Sequence, residues 1–412
     1  MKRWLSLRHP RSSPSHSGIL YFMAISPAKV GGMELFAVEL ARQLRMHNEP
    51  ITYCFLTSPS DVVRNLLERA GAEYYSLAPQ NGFLPRTVLA QWRLLRRLRP
   101  RCVIYAFGGI ARPLPWLCRL AGVPEVVYND HTSRTDEDKT TLPQRLRARL
   151  LTLPINKVIA VSAFVAECSL QEGLHRAPVV CVHNGIDIER GARSLRREVY
   201  LHRLGIPEQR RIVSQLSWLV ESKGVDIFLN AAAIVLQQRN DVHFLVGGTG
   251  IGYDQYTNLT HELGIASHVT FTGELPDPLC SGFYAATDVF CLASRWQEAC
   301  GLVLLEAMSM GVPVVASHLG GVPEYVQDTT DGMLVAPTAE NFARAILALL
   351  EDEYRRRQMG AAAQRNVWEH FNLRRMADGY ARQFLSGQAR TIDLAAMRAS
   401  LTTRHTEVPC SR

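Results

Sequence analysis

A chain of 412 residues has room for two domains with substantial cores, and 47% hydrophobic with 20% charged residues excludes a disordered or fibrous protein. No apolar run approaches the roughly 18 residues that a membrane span requires, and Arg8, His9, Pro10 and Arg11 break up the first 17 residues, so neither a span nor a secretory signal is expected. The formal charge of +8 is uneven: Tyr74–Pro124 carries eight arginines and no Asp or Glu.

In chain order, Met1–Ser17 is expected to be a disordered basic tail. Strands are then predicted at Ile19–Ile25, Ile51–Leu56, Glu73–Leu77, Val103–Ala106, Val126–Asn129, Lys157–Val161 and Val179–His183. Helix-length amphipathic segments alternate with them, the pattern of parallel α/β sheets. After the first strand, Gly31 and Gly32 enter a helix running from Met33 to about Met46; the pair is either a tight turn or a place where a ligand meets the backbone closely. Arg86–Arg101 is predicted as a helix with Val88, Trp92, Leu95 and Leu98 on one face and Arg93, Arg96, Arg97 and Arg99 off it. Together with Arg145, Arg147 and Arg149 it is either a solvated face or a surface for anionic lipid headgroups, with nucleic acid disfavoured for want of a recognition motif. Asn129, Asp130 and His131 follow the fifth strand, where ligands gather in such sheets. Asp136-Glu-Asp138 lies in a polar loop and is taken as a solvated cluster, not a metal site.

The charged stretch Glu189–Arg203 suggests a boundary near residue 196. A second series of strands follows at Arg211–Gln215, Val242–Val246, Val269–Thr272, Val289–Leu292, Val312–Ala316 and Met333–Val335. Two doubly wound sheets in tandem are therefore expected, leaving a cleft for ligands. Glu221-Ser-Lys-Gly224 places Lys223 just before a helix over Val225–Gln238, as a surface lysine or as a phosphate partner. Gly247-Gly-Thr-Gly250 lacks the three glycines of a dinucleotide fingerprint, which disfavours a nicotinamide oxidoreductase. The run from Ser294 to Glu306 sets Glu298 in a strand-to-helix loop and Glu306 inside a helix that stops at Gly311 and Pro313. The motif is either a helix that happens to carry two glutamates or a ligand site, in which the N–H groups of Gly301, Leu302 and Val303 at the helix start bind an anion and the flanking carboxylates grip hydroxyls; anion plus polyol implies a sugar nucleotide. Nine cysteines without Cys-x2-Cys spacing fit small buried hydrophobes in a reducing compartment, so a cytoplasmic location is expected.

The ordered set Gly31-Gly-Met-Glu34, His131, Val182-His-Asn-Gly-Ile-Asp187, Glu221-Ser-Lys-Gly-Val-Asp226, Gly247-Gly-Thr-Gly250, Glu298 to Glu306 and Gly320-Gly-Val-Pro-Glu324 resembles the retaining glycosyltransferases of family 4 over about residues 18–385. The resemblance implies the GT-B fold, two tandem Rossmann-like parallel-sheet domains facing across a cleft. Residues 18–196 would bind the acceptor, 197–369 a UDP- or GDP-sugar donor, helices at about 370–388 would pack back onto the first domain, and 389–412 would be a loose tail. It further implies that Glu298 contacts donor-sugar hydroxyls, Glu306 the ribose, and Lys223 the diphosphate together with the N–H groups of Gly301, Leu302 and Val303. Gly31 and Gly32 would approach the diphosphate and His131 the sugar near the reacting centre. Gln215, Gly248, Thr249 and Cys300 complete the implied donor set, and Lys223, Glu298 and His131 the catalytic one. Such enzymes are expected to act by front-face attack, with neither a divalent metal nor a cofactor, on a glycan acceptor here expected to be lipid-linked at the cytoplasmic membrane face. Two departures stand out: Gln215 where relatives carry arginine, with Arg295 as the candidate to offset it, and Cys300 where they carry an aromatic. They leave a catalytically weak or inactive sugar-nucleotide-binding protein as the alternative. A glycoside hydrolase using Glu298 and Glu306 is disfavoured, because water-driven hydrolysis has no use for Lys223 or the helix end.

Overall fold

The computed structural model describes residues 18–77, 85–132, 141–173 and 175–385. The expected tails at 1–17 and 389–412 and the acidic cluster Asp136–Asp138 lie outside the described residues. The chain divides into two compact units.

The first unit is built on a parallel sheet of β1 (Ile19–Met23), β2 (Ile51–Phe55), β3 (Glu73–Ser76), β4 (Cys102–Ala106), β5 (Glu125–Asp130), β6 (Lys157–Ala160) and β7 (Val179–Cys181), in the order β3-β2-β1-β4-β5-β6-β7. β1, β4 and β6 are buried along their whole length, which is why they are continuous apolar runs instead of alternating ones. β1 ends two residues before its predicted limit, where Ile25 N–H turns back to the Met23 carbonyl. The second unit holds β8 (Arg211–Leu216), β9 (Val242–Gly247), β10 (Val269–Gly273), β11 (Val289–Leu292), β12 (Val314–Ser317) and β13 (Gly332–Val335), in the order β10-β9-β8-β11-β12-β13. Both sheets are doubly wound. Strand order reverses between β1 and β4 in one and between β8 and β11 in the other, and a crevice opens beyond the carboxyl ends of strands at such a reversal.

The boundary falls between His183 and Asn184, earlier than the expected residue 196. Ile186 N–H bonds the Phe371 carbonyl at 3.0 Å, and a side chain on Gly185 would meet the Asn372 carbonyl oxygen at 2.3 Å. The charged stretch taken for a linker folds as a 3-10 turn (Ile188–Arg193) and a helix (Arg197–Arg203) whose Tyr200 and Leu201 enter the second core. Its many arginines hide those two buried positions in the sequence.

The helix Glu353–His370 also stays with the second unit, whereas Leu373–Leu385 belongs to the first. Leu373–Leu385 buries Met376, Ala377, Tyr380, Ala381 and Phe384, and the Tyr380 ring packs edge-on to Phe36 at 4.8 Å. An aromatic pair of this kind contributes about 0.5–1.5 kcal/mol beyond its buried area.

Candidate active site

In the second unit the chemistry-bearing residues gather where β8 and β11 end, at the strand-order reversal. β8 leads into the 3-10 turn Glu221–Lys223, closed by Gly224 at φ +61°. Only glycine fits there, because a Cβ would lie 1.9 Å from the Ala293 carbonyl oxygen just past β11. Arg295 N–H bonds the Ser222 carbonyl at 2.9 Å, tying the two loops together. So fastened, Lys223 Nζ reaches Glu298 Oε1 at 2.5 Å, and Ser294 Oγ donates to the same oxygen at 2.6 Å. Glu298 is 7% exposed. Its carboxylate is thus a buried charge with one ammonium and one hydroxyl as partners, the condition under which burial is tolerated.

Two residues unassigned in the sequence hold this cluster. Ser294, 1% exposed, is the second donor to Glu298, and only its place at the end of β11 hinted at that. Gly320, at φ +61°, lets the chain pass so close to Glu298 that a Cβ would sit 2.4 Å from the Glu298 carbonyl oxygen. Gly321 N–H bonds that oxygen at 2.7 Å. The Gly320–Glu324 motif therefore clasps the glutamate loop from behind.

Gly301, at φ +76°, caps the helix Leu302–Ser309, and Gly301, Leu302 and Val303 are each partly exposed. The first N–H groups of a helix have no partner within it and carry its positive dipole end. Glu306 lies one turn further along, accepting the Tyr284 hydroxyl at 2.7 Å. Burial pushes its pKa up to about 7, against the opposing effects of that hydrogen bond and of Arg190. Gly248 N–H bonds the Gly273 carbonyl at 2.8 Å, its φ of +109° bringing it against the Ser217 carbonyl, while the neighbouring Thr249 is exposed.

Three expectations need correction. Gln215 does not face a ligand. It is fully buried, its amide nitrogen donating to the Lys223 carbonyl at 3.0 Å and its oxygen accepting Ala293 N–H at 3.4 Å. It braces the lysine turn and contributes no group to a donor. Arg295 does not replace the missing cation, because its guanidinium grips both oxygens of Asp226, one at 2.6 Å, and the Glu221 carbonyl at 3.2 Å. Cys300 is a core residue, 4% exposed and packed in the same cluster as Leu304 and Tyr325, and burial pushes its thiol up to about 12.

In the first unit His131 follows β5, and its Nε2 lies 2.6 Å from Asn129 Oδ1. Asn129 is itself fully buried. The same oxygen accepts the Tyr21 hydroxyl at 2.7 Å, while its amide nitrogen donates to the Ile159 carbonyl and the Tyr380 hydroxyl. An acceptor facing Nε2 fixes the proton there and leaves Nδ1 as an acceptor in the neutral ring. Burial lowers the His131 pKa to about 4, with Asp130 pulling the other way, so the ring is neutral at physiological pH. Phe107, just past β4, stacks on the imidazole at 4.6 Å with φ +60°, a backbone conformation uncommon for an aromatic residue. No motif pointed to Phe107. Gly31 precedes the helix Gly32–Met46 in the same unit, and its N–H is held by Glu34 Oε2 at 3.0 Å. The backbone N–H of Gly31, one of the two glycines expected to approach the diphosphate, is therefore already capped.

Residues 197–366 match the family described as Glycosyl transferases group 1, and residues 30–190 match Glycosyltransferase Family 4. A D-inositol 3-phosphate glycosyltransferase of Corynebacterium aurimucosum is 29% identical over 81% of this chain and 86% of its own length. A GDP-mannose-dependent alpha-(1-6)-phosphatidylinositol monomannoside mannosyltransferase of Mycobacterium tuberculosis is 29% identical over 66% of this chain and 73% of its own. Among solved structures, Anabaena Alr3699/HepE in complex with UDP superposes with a TM-score of 0.71 at 23% identity, covering 89% of this chain and 99% of that one. With both family descriptions matched in chain order on two doubly wound sheets, the chain belongs to glycosyltransferase family 4 and has the GT-B fold.

Proposed function

We propose that this glycosyltransferase moves a hexosyl-type sugar from a UDP- or GDP-sugar to a glycan acceptor carried on a lipid, with retention at the anomeric carbon and no resident metal. The reading is carried by the Lys223–Glu298–Ser294 cluster beside the free end of the helix Leu302–Ser309. Breaking the anomeric C–O bond places negative charge on the diphosphate, and a fixed ammonium with oriented N–H groups stabilises it. Glu298, exchanging Lys223 for sugar hydroxyls, orients the ring; Glu306 accepts a hydrogen bond from the ribose; neutral His131 accepts a hydrogen bond from a sugar hydroxyl at Nδ1. The leaving phosphate takes the acceptor's proton, so no protein base acts. The relative named for phosphatidylinositol monomannoside supports a lipid-borne acceptor, while the one named for D-inositol 3-phosphate supports a polyol acceptor without a lipid.

A peripheral membrane position is supported less by Arg93, Arg96 and Arg97, exposed on the helix Pro85–Leu98, than by the helix Leu142–Thr152. Leu142, Leu146, Leu150 and Leu153 are 55–80% exposed, at helical spacing, and no Asp or Glu occurs between Thr141 and Ala166. An apolar ridge flanked by arginines suits an anionic bilayer surface. Incubation with UDP- and GDP-sugars and lipid-linked acceptors tests the reaction, with product stereochemistry read by NMR; full transfer by Glu298→Ala refutes the site. Flotation with anionic vesicles tests the surface, which Leu146→Glu abolishes if the ridge is the contact.

A second reading, a weakly active or inactive sugar-nucleotide-binding protein, is favoured by one observation: Gln215 and Arg295 are both committed to protein contacts, leaving Lys223 as the cation of the cluster. Tight UDP or GDP binding with no turnover on any acceptor would favour it.

A further inference from the structure

Where β8, β11 and β12 begin, at the end of the second sheet away from the Lys223 cluster, a cavity of about 510 Å³ is lined by five arginines against Glu208, Asp288 and Glu353. Asp288 lies at its centre. Its carboxylate is 3.1 Å from Arg197, 3.4 Å from Arg211 and 3.6 Å from Arg356, and it also accepts Ile212 N–H at 2.8 Å. One negative charge thus serves three guanidiniums. Glu353 is shared in the same way, between Arg211 at 3.2 Å and Arg357 at 2.5 Å.

Arg356 is the least satisfied of these groups. It is 6% exposed, it stands beyond hydrogen-bonding distance of Asp288, and its Nη1 has no partner among the described residues. Burial presses the guanidinium's pKa below its ordinary value, yet an arginine keeps its proton at any physiological pH. A buried, charged donor fork without an acceptor is costly unless something supplies one. Arg197 and Arg210 are turned to backbone carbonyls, of Ala286 and Arg210 for the first and Asn240 for the second. Excess positive charge and open donor capacity therefore fall on Arg356, Arg357 and Arg211.

We propose that this cavity is a second anion site, binding a phosphate group, free or as the monoester of a small metabolite, through Arg356, Arg357 and Arg211. Planar guanidinium forks match phosphate oxygens in pairs. The volume exceeds that of a lone phosphate and accommodates a small organic body attached to one.

The test uses the full chain with Lys223→Met, which removes the ammonium of the donor pocket, and titrates inorganic phosphate at constant ionic strength by calorimetry and thermal shift. Saturable binding that weakens about tenfold or more in Arg356→Gln, and severalfold in Arg357→Ala, supports the site. Arg357 has a 75% exposed side chain, so the second variant decides the matter should the first fail to fold. Glucose 1-phosphate in a parallel titration separates the sources: tighter binding than phosphate marks a phosphomonoester occupant, equal binding free phosphate. Absence of saturation, or an affinity unchanged in Arg357→Ala and any folded Arg356→Gln protein, overturns the proposal.

Discussion

Replacing Lys223 by methionine separates the two jobs assigned to the Lys223–Glu298 pair. The Glu298 side chain is 9% exposed and would keep only the Ser294 hydroxyl as donor. Leaving a buried carboxylate without its cation costs about 3–5 kcal/mol in a dry site. Lys223 is 26% exposed and Ser294 remains, so about 2 kcal/mol is expected here, a fall in Tm of about 4–8 °C for a unit of this size. Glu298→Gln keeps an acceptor for both donors and should cost about 1 kcal/mol. The double variant has no stranded charge and should recover most of the lost Tm, a coupling that thermal unfolding of the four proteins reads directly. Transfer should not recover. Loss of the ammonium at the diphosphate lowers turnover by about 10²–10³ in both Lys223→Met proteins. Strictly additive Tm changes, or undiminished UDP and GDP binding in Lys223→Met, would refute the pairing and its role.

Gln215→Arg, which introduces the residue that the family resemblance implies here, should lower Tm by several degrees and fail to raise donor affinity, since a larger charged side chain has no room at a fully buried position; melting curves and nucleotide titrations check this. Gly320→Ala forces a Cβ to 2.4 Å from the Glu298 carbonyl oxygen at positive φ and should destabilise by about 2 kcal/mol or more, with donor binding weakened in parallel. Glu306, raised from 4.5 to about 7, stays protonated in the folded chain when the unfolded chain has already lost the proton, so stability falls as pH rises from about 4.5 to 7 and stays low above it. The full cost is about 3 kcal/mol. Glu306→Gln should therefore flatten part of the pH dependence of denaturant unfolding; Asp331, whose burial raises it to about 7 as well, acts in the same direction, and His131 and His243, lowered by burial to about 4, act in the opposite one.

Much of this architecture was legible because parallel strands buried on both faces declare themselves as apolar runs, as β4 and β11 do. The loop after β11 was legible for another reason: a carboxylate between a strand end and a glycine-capped helix has few structural uses. What escaped was the direction in which side chains point. Gln215 stands at the end of β8 like a ligand contact, yet its two-ended amide suits it to bridging Lys223 and Ala293, a role that the sequence cannot distinguish from ligand binding. Arg295 looked available until Asp226, 69 positions earlier, proved to be its partner. The boundary slipped for a related reason, since Tyr200 and Leu201 are buried from within a run of charges. Pairings between residues distant in sequence decide all three.

These corrections alter the electrostatics of leaving-group departure. With Gln215 and Arg295 withdrawn, the proposed reaction draws its stabilising charge in the second unit from Lys223 and the tip of an eight-residue helix, and Lys223 is bound to Glu298 before any donor arrives. A helix end carries roughly half a unit charge. On the proposed assignment, donor binding divides an existing ion pair, giving the ammonium to the diphosphate and the carboxylate to sugar hydroxyls. A nucleoside diphosphate lacking the sugar satisfies only the first half of that exchange and strands Glu298. It follows that the intact sugar nucleotide should bind more tightly than UDP or GDP alone, and that Glu298→Gln should narrow the difference. Calorimetric titration of both ligands into both proteins measures it, and equal affinities in the unaltered chain would show that the pair does not open on binding.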